Sequence, residues 1–414
     1  MCFSRRAFLK SGALAIVGTA AIPSFLTRAV FAETSDIKRK RLVVIFQRGA
    51  ADGLNIVAPY GEPQYYKLRP NLAVPPPGMA NGNGGLDLDG FFALHPAMTS
   101  FEPLWRDKHL AIVHAAGSPD NTRSHFDAQD YMESGTPGLK STEDGWLNRT
   151  IRQPHDASHD TPFRAVAMGT SLPRILAGTA PAVAINNINE FGVAGRSPAS
   201  GTLTNTFESM YADSVDTVLH GTAHETFDAV KMLKSADPAK YTPAPNAKYP
   251  RGRLGDSMRQ LAQLIKANLG VQVAFADIGG WDHHVNEAPQ LNNVLRDFSQ
   301  SISAFWYDLG DLADDTVIVT MSEFGRTARE NGNRGTDHGH ANVMFVLGGQ
   351  VRGGRVYGKW PGLADHQLYE GRDLALTTDF RTVVGEAVTK QVGVRNVSSV
   401  FPDFSMPAPL HLLG

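Results

Sequence analysis

The sequence predicts a three-layer α/β/α sandwich around a mainly parallel central sheet. Three observations carry that expectation. Apolar runs of strand length recur without polar alternation, amphipathic stretches of helical period separate them, and acids and imidazoles collect at their ends.

The runs are "RLVVIFQRG" (41–49), "LAIVHAAG" (110–117), "RAVAMG" (164–169), "VQVAFADIGG" (271–280), "DTVIVTMSEFG" (315–325) and "NVMFVLGG" (342–349). A strand with one wet face alternates apolar and polar residues. These runs do not, so both faces must be covered, as in a parallel sheet packed under helices. From Leu291 onward, Val294, Leu295, Phe298, Ile302, Phe305, Trp306 and Leu309 step by three and four, one face of a long helix. Residues 255–268 repeat the pattern with Met258, Leu261, Leu264 and Ile265. Strand alternating with helix places the ligand crevice at the carboxyl ends of the strands. Two segments interrupt the alternation. Residues 70–85 are dense in Pro and Gly and read as a surface loop, and a helical insertion near 201–250 either caps the crevice or packs on the sheet's flank.

The N-terminus is read apart from the fold. Arg5-Arg6, followed by Phe8, Leu9 and Lys10, heads a short apolar run broken by Gly12, Gly18 and Pro23. Small residues at Val30 and Ala32 suit cleavage after Ala32, so residues 1–32 read as a twin-arginine signal peptide and 33–414 as one domain. The run is too short and polar for a membrane span, leaving none after cleavage. The expected partner in export is the Tat translocon, and the destination is the periplasm or the exterior. The only cysteine is Cys2, inside the signal, so the mature chain forms no internal disulfide. With 42% hydrophobic residues, 19% charged and a net charge of −2, the 414-residue chain gives no reason to expect a nucleic acid partner.

Function is expected where the polar residues gather. Asp52 follows the first run; Asp277 lies in the fourth, which leads into Asp282, His283 and His284; Glu323 ends the fifth; Asp337, His338 and His340 precede the sixth. Carboxylates facing one another across a crevice repel unless a cation offsets them. Mixed carboxylate and imidazole is the ligand set of zinc, with manganese or calcium as alternatives. His338 and His340, two apart, share one side of an extended segment, whereas His283 and His284 point apart, so one of them binds. Ser124 heads a helix. It reads as an N-cap with Asp127 three residues on, or as a hydroxyl nucleophile at a helix N-terminus.

The motifs "FQRGAADGLN", "SHFDAQDYMESG", "GGWDHH", "SEFGRT" and "TDHGHAN", with the export signal, resemble a bacterial family of unknown function within the alkaline phosphatase and sulfatase superfamily. The resemblance covers nearly the whole mature chain. It implies an alkaline-phosphatase-like sandwich with a two-metal crevice. Asp52 resembles the first metal aspartate, and Glu323 stands where that superfamily has an Asp, with Phe324 in place of the following His. His338 resembles the last metal histidine, and Asp277 with His283 is similar to an Asp–His ligand pair, at a gap two residues longer. "ESG" (133–135) resembles the end of the nucleophile helix. Counting back reaches His125, with Ser124 one residue early. No Cys-x-Pro-x-Arg motif is present, which argues against an ordinary sulfatase.

The expected function is therefore an exported, metal-dependent hydrolase of phosphate or sulfate esters or related anionic substrates. Asp52, Asp277, His283, Glu323, Asp337, His338 and His340 form the ligand pool; Ser124 or His125 stands at the nucleophile position, and Arg123 or Arg326 clamps the anion. The alternative is a non-catalytic protein on the same fold that binds an envelope glycan.

Overall fold

The structure is a computed structural model that describes residues 39–79, 84–155, 161–188, 232–233 and 240–414. The signal segment expected over 1–32 and most of the insertion expected near 201–250 lie outside the described residues. Among the described residues no helix is long and apolar enough to cross a membrane.

Among the described residues nine strands form the main sheet: β1 (Arg41–Gln47), β2 (Leu110–Gly117), β3 (Ala165–Met168), β4 (Val183–Ile185), β5 (Val273–Ile278), β6 (Thr316–Ser322), β7 (Asn342–Gly348), β8 (Arg355–Tyr357) and β9 (Thr378–Asp379). Their order is β8-β2-β7-β6-β1-β5-β3-β4, with β9 beside β2. Each of the six apolar runs is one of these strands. The other three, β4, β8 and β9, are two or three residues long, too short to show a pattern.

Five helices matter here: α1 (His125–Ser134), α2 (Trp146–Ile151), α3 (Arg253–Lys266), α4 (Glu287–Leu309) and α5 (Phe380–Ala387). Strand β1 shows why its run is apolar throughout. Val43 and Ile45 join a core with Met258, Leu261 and Leu264 of α3 and Leu295, Phe298 and Ile302 of α4. Leu42, Val44 and Phe46 point the other way, to Trp146 and Leu147 of α2 and Phe380, Val383 and Val384 of α5. All five β1 side chains are fully buried, each contributing roughly 1.5–3 kcal/mol. The result is the three-layer α/β/α architecture expected.

One strand runs against the rest. β1 is parallel to β5 and β6, whereas β7 is antiparallel to both β6 and β2. The amino end of β7 thus lies at the edge where β1, β2, β5 and β6 finish, with Asn342 opposite Ala116. A loop that precedes β7 therefore meets loops that follow four other strands.

Candidate metal centre

Four segments bring side chains together at that edge. The residues after β2 open α1 with His125 at its first position, and β6 delivers Glu323. The stretch after β5 brings Asp282 and His284, and the approach to β7 brings Asp337 and His338. Two glycines let these loops close up. A Cβ on Gly335 would fall 2.3 Å from the His284 carbonyl, and one on Gly339 would fall 2.3 Å from that of Arg326.

The side chains converge on one point. His338 Nε2 lies 3.1 Å from His125 Nε2 and 3.0 Å from His284 Nε2. Asp282 Oδ1 lies 3.2 Å from His338 Nε2 and 2.9 Å from His284 Nε2, and Asp282 Oδ2 is 3.6 Å from His125 Nε2. His125, Asp282 and His338 offer three ligand atoms within 4.8 Å of one another, a group that can hold a metal ion.

Each imidazole is oriented through its other nitrogen. His125 Nδ1 donates to Glu323 Oε1 at 2.8 Å, His284 Nδ1 to Asp337 Oδ1 at 3.0 Å, and His338 Nδ1 to the Arg123 carbonyl at 2.9 Å. Second contacts of this kind fix ring orientation and raise ligand basicity in metal sites. Glu323 is fully buried, and its Oε1 also accepts from Gly49 N and Gln129 Nε2 at 2.8 Å each. Burial alone would raise its pKa. The hydrogen bonds from His125 and Gln129 outweigh that and hold it below the usual carboxylate range. The bond to Glu323 in turn raises His125, while burial lowers His338.

These constraints settle which nitrogen of His338 faces the cluster. A carbonyl can only accept, so His338 Nδ1 carries the hydrogen and, in the neutral ring, Nε2 presents a bare lone pair. That lone pair faces two other Nε2 atoms and an acidic oxygen. It can accept one proton in its plane, from His125 or from His284. A metal with imidazole bonds of about 2.0–2.1 Å in tetrahedral geometry needs nitrogens about 3.3–3.4 Å apart. The observed separations reach that with shifts of a few tenths of an ångström. Glu323→Gln, which keeps the volume but weakens the acceptor for His125, should lower metal affinity roughly 10–100-fold in a chelator competition, with little change in unfolding temperature.

The residues expected from sequence separate into two sets. The structure brings His125, Glu323, Asp337 and His338 together. It places Asp52, Asp277, His283 and His340 elsewhere. Asp52 is buried and clamped by Arg69, with Nη1 to Oδ2 at 2.5 Å and Nη2 to Oδ1 at 2.9 Å, so a guanidinium already offsets its charge. Asp277 accepts from Arg48 Nε at 2.7 Å and Arg253 Nη2 at 2.6 Å. His283 faces inward, where burial lowers its pKa, and His340 stacks on Tyr369 at 4.3 Å. The histidine chosen from the His283-His284 pair is thus the reverse of the one at the cluster.

The expected anion clamps are also committed to the protein. Arg326 is fully buried and donates to the carbonyls of Ala50, Thr336 and Trp281 and, at 2.6 Å, to Asp282 Oδ1. It holds Asp282 in place. Arg123 pairs with Glu370 at 2.7 Å and Asp373 at 2.6 Å. Ser124 is the N-cap residue of α1, but its side chain makes no capping hydrogen bond. Asp282, a member of the convergent group, and His284 beside it stand outside the expected ligand pool. Their signal was in the sequence: two apart in an extended stretch, they share a side, as was argued for His338 and His340.

Comparisons with known proteins add the family and little more. No curated protein matches the chain. Among solved structures it is similar to the crystal structure of Ps i-CgsB in complex with k-i-k-neocarrahexaose, at 9% identity and a TM-score of 0.42 over 89% of this chain and 75% of that one. It is also similar to the zinc-bound C-terminal periplasmic domain of EcEptC from Escherichia coli, at 8% identity and a TM-score of 0.35 over 76% and 74%. A third likeness is to the phosphonate monoester hydrolase of Agrobacterium radiobacter, at 10% identity and a TM-score of 0.29 over 77% and 70%. At these values the likenesses say nothing about activity. Residues 39–401 match the model described as "Protein of unknown function (DUF1501)", and the chain belongs to that family.

Proposed function

We propose that the protein is a metal-dependent hydrolase of phosphate or sulfate esters, acting outside the cytoplasm. The observation that carries this reading is the convergence of His125, Asp282 and His338 on one point at the sheet's carboxyl edge, each partly open to solvent. Two imidazoles and a carboxylate fit zinc, or manganese, better than calcium, which takes six to eight oxygens. Three protein ligands leave a coordination position open, the mark of catalytic sites. His125, Asp282 and His338 would hold such an ion, which would supply Lewis-acid chemistry to a water and to an ester oxygen.

The chain's own residues supply the rest. His125 occupies the place expected of a hydroxyl nucleophile, so water is the attacking group. His284, oriented by Asp337, is the proton carrier beside the ligands. Arg326 fixes Asp282, and one carboxylate against a divalent ion leaves a net positive charge, which favours an anionic ester. Export is supported by the twin-arginine pattern at Arg5-Arg6.

Elemental analysis of the purified mature protein tests the reading first. About one equivalent of zinc or manganese is expected, with turnover of at least one member of a panel of phosphate and sulfate monoesters and diesters. Less than a tenth of an equivalent, with no rise in melting temperature on adding metal, would sink it and leave a non-catalytic glycan-binding protein. Ser124→Ala should keep its turnover; a loss beyond tenfold would restore the seryl nucleophile.

A further inference from the structure

Arg48 and Gln129 belong to two of the sequence motifs, "FQRGAADGLN" and "SHFDAQDYMESG", and neither is a member of the convergent group. His125, Gln129 and Glu133 recur at every fourth position of α1, so they form one stripe along its face. Two residues at the strand ends grip that stripe. Glu323, after β6, accepts from His125 Nδ1 and from Gln129 Nε2 at 2.8 Å each. Arg48, after β1, donates through Nη1 to Gln129 Oε1 and to Glu133 Oε1 at 2.9 Å each. Gln129 is the residue that both of them hold.

Arg48 is itself fixed. Its Nε donates to Asp277 Oδ2 at 2.7 Å, and its guanidinium lies 4.6 Å over the Phe46 ring. A planar fork tied at both ends cannot turn. It also settles which way round the Gln129 amide lies. A guanidinium can only donate and an ionised carboxylate can only accept, so the amide turns its oxygen to Arg48 and its nitrogen to Glu323. Reversed, the amide would set an oxygen 2.8 Å from Glu323 Oε1, the atom that orients His125, and would push it away.

The turn that carries Arg48 lies against two of the segments that build the centre. Gly49 N donates to the same Glu323 oxygen at 2.8 Å, and a Cβ on Gly49 would fall 2.8 Å from Asp282 N. We infer that Gln129, anchored by Arg48, is a positioning residue for the metal centre: it holds Glu323, and through it the His125 ring, with Nε2 toward Asp282 and His338. The inference rests on metal binding at this centre, not on hydrolysis.

The test measures zinc affinity by chelator competition and ligand geometry from the visible spectrum of the cobalt(II)-loaded protein. Gln129→Met keeps the length and the charge but makes neither hydrogen bond, so a loss cannot come from altered attraction of the cation. It should bind zinc about tenfold more weakly or worse, with an altered cobalt spectrum. Gln129 is half-buried, and the chelated variant should unfold at the wild-type temperature. Arg48→Lys keeps the charge beside Asp277 and Glu133 but lacks the fork, and should show the same two changes. Because Arg48 acts through Gln129, the double variant should bind no more weakly than Gln129→Met alone. Zinc bound equally by wild type and Gln129→Met overturns this inference and leaves the metal centre standing. Zinc bound more tightly by the variant also overturns it, since Gln129 would then only weaken Glu323 as an acceptor. A weaker ion with an unaltered cobalt spectrum overturns it as well, because no ligand has moved. Losses that multiply in the double variant overturn the part given to Arg48. Wild type that binds no zinc or cobalt overturns this inference together with the metal reading.

Discussion

His338→Ala should leave the purified protein with less than a tenth of an equivalent of metal and reduce ester turnover about 10³-fold or more. His338 is the member that touches every other: both remaining imidazoles and Asp282 lie within 3.2 Å of its Nε2. Losing the ion forfeits several kcal/mol of transition-state charge stabilisation, and each 1.4 kcal/mol is tenfold in rate. The fold should survive, since the ring sits at the solvent edge. Chelated wild type and variant should therefore unfold at the same temperature. His340→Phe is the discriminating companion. It keeps the stack on Tyr369 and should retain a full equivalent, because His340 lies outside the cluster. Equal metal content in wild type and His338→Ala would remove the centre described above.

Arg69→Met should destabilise the protein by about 3–5 kcal/mol in denaturant unfolding. Arg69 is fully buried; besides gripping both oxygens of Asp52, it donates to the carbonyls of Ala328 and Thr327. Burial alone would raise Asp52, and the Arg69 charge overcomes it and holds the carboxyl low. Removing the guanidinium strands an anion in the interior. The neighbouring Glu287 behaves in the opposite way. It is buried beside Asp52, which together push its pKa well up, and its Oε1 faces no donor. A proton on Glu287 turns that contact into a hydrogen bond, so Glu287→Gln should cost little near neutral pH.

The signs can be followed through the pH scale. Asp52 is depressed, so its contribution is present above the ordinary carboxylate range and is lost as pH falls through its folded value. Glu287 is raised above 4.5, so the folded state holds a proton that the unfolded state has released. Stability therefore declines as pH rises from about 4.5 toward the folded value. Wild type should show that decline, and Glu287→Gln should lack it. A Gln variant with an unchanged pH profile would mean that Glu287 is ionised in the fold.

The six long strands were legible because burial on both faces writes itself into composition. The direction of β7 was not, since hydrogen-bond polarity leaves no trace in an apolar run. Yet the loop before it was placed at the right edge, because Asp337, His338 and His340 gather with the polar residues that end the other strands. Glu323 was legible as a strand-end acid, but in the fold it holds His125 from beneath the cluster. Arg69 was invisible: a guanidinium in "YYKLRP" looks the same whether it will sit in solvent or under a carboxylate. With Asp52 read alone, a metal was the natural counter-charge; the fold supplies an internal one.

The antiparallel course of β7 also bears on the order of assembly. His125 is separated by 198 residues from Glu323 and by 213 from His338. Closing a loop of that length must precede any contact that rewards it. The centre has no geometry until β7 has slotted between β2 and β6, so an ion that recognises all its ligands recognises only the finished sheet. Such an ion would slow the escape from the native state without hastening the approach to it, a latch fitted after the door has shut.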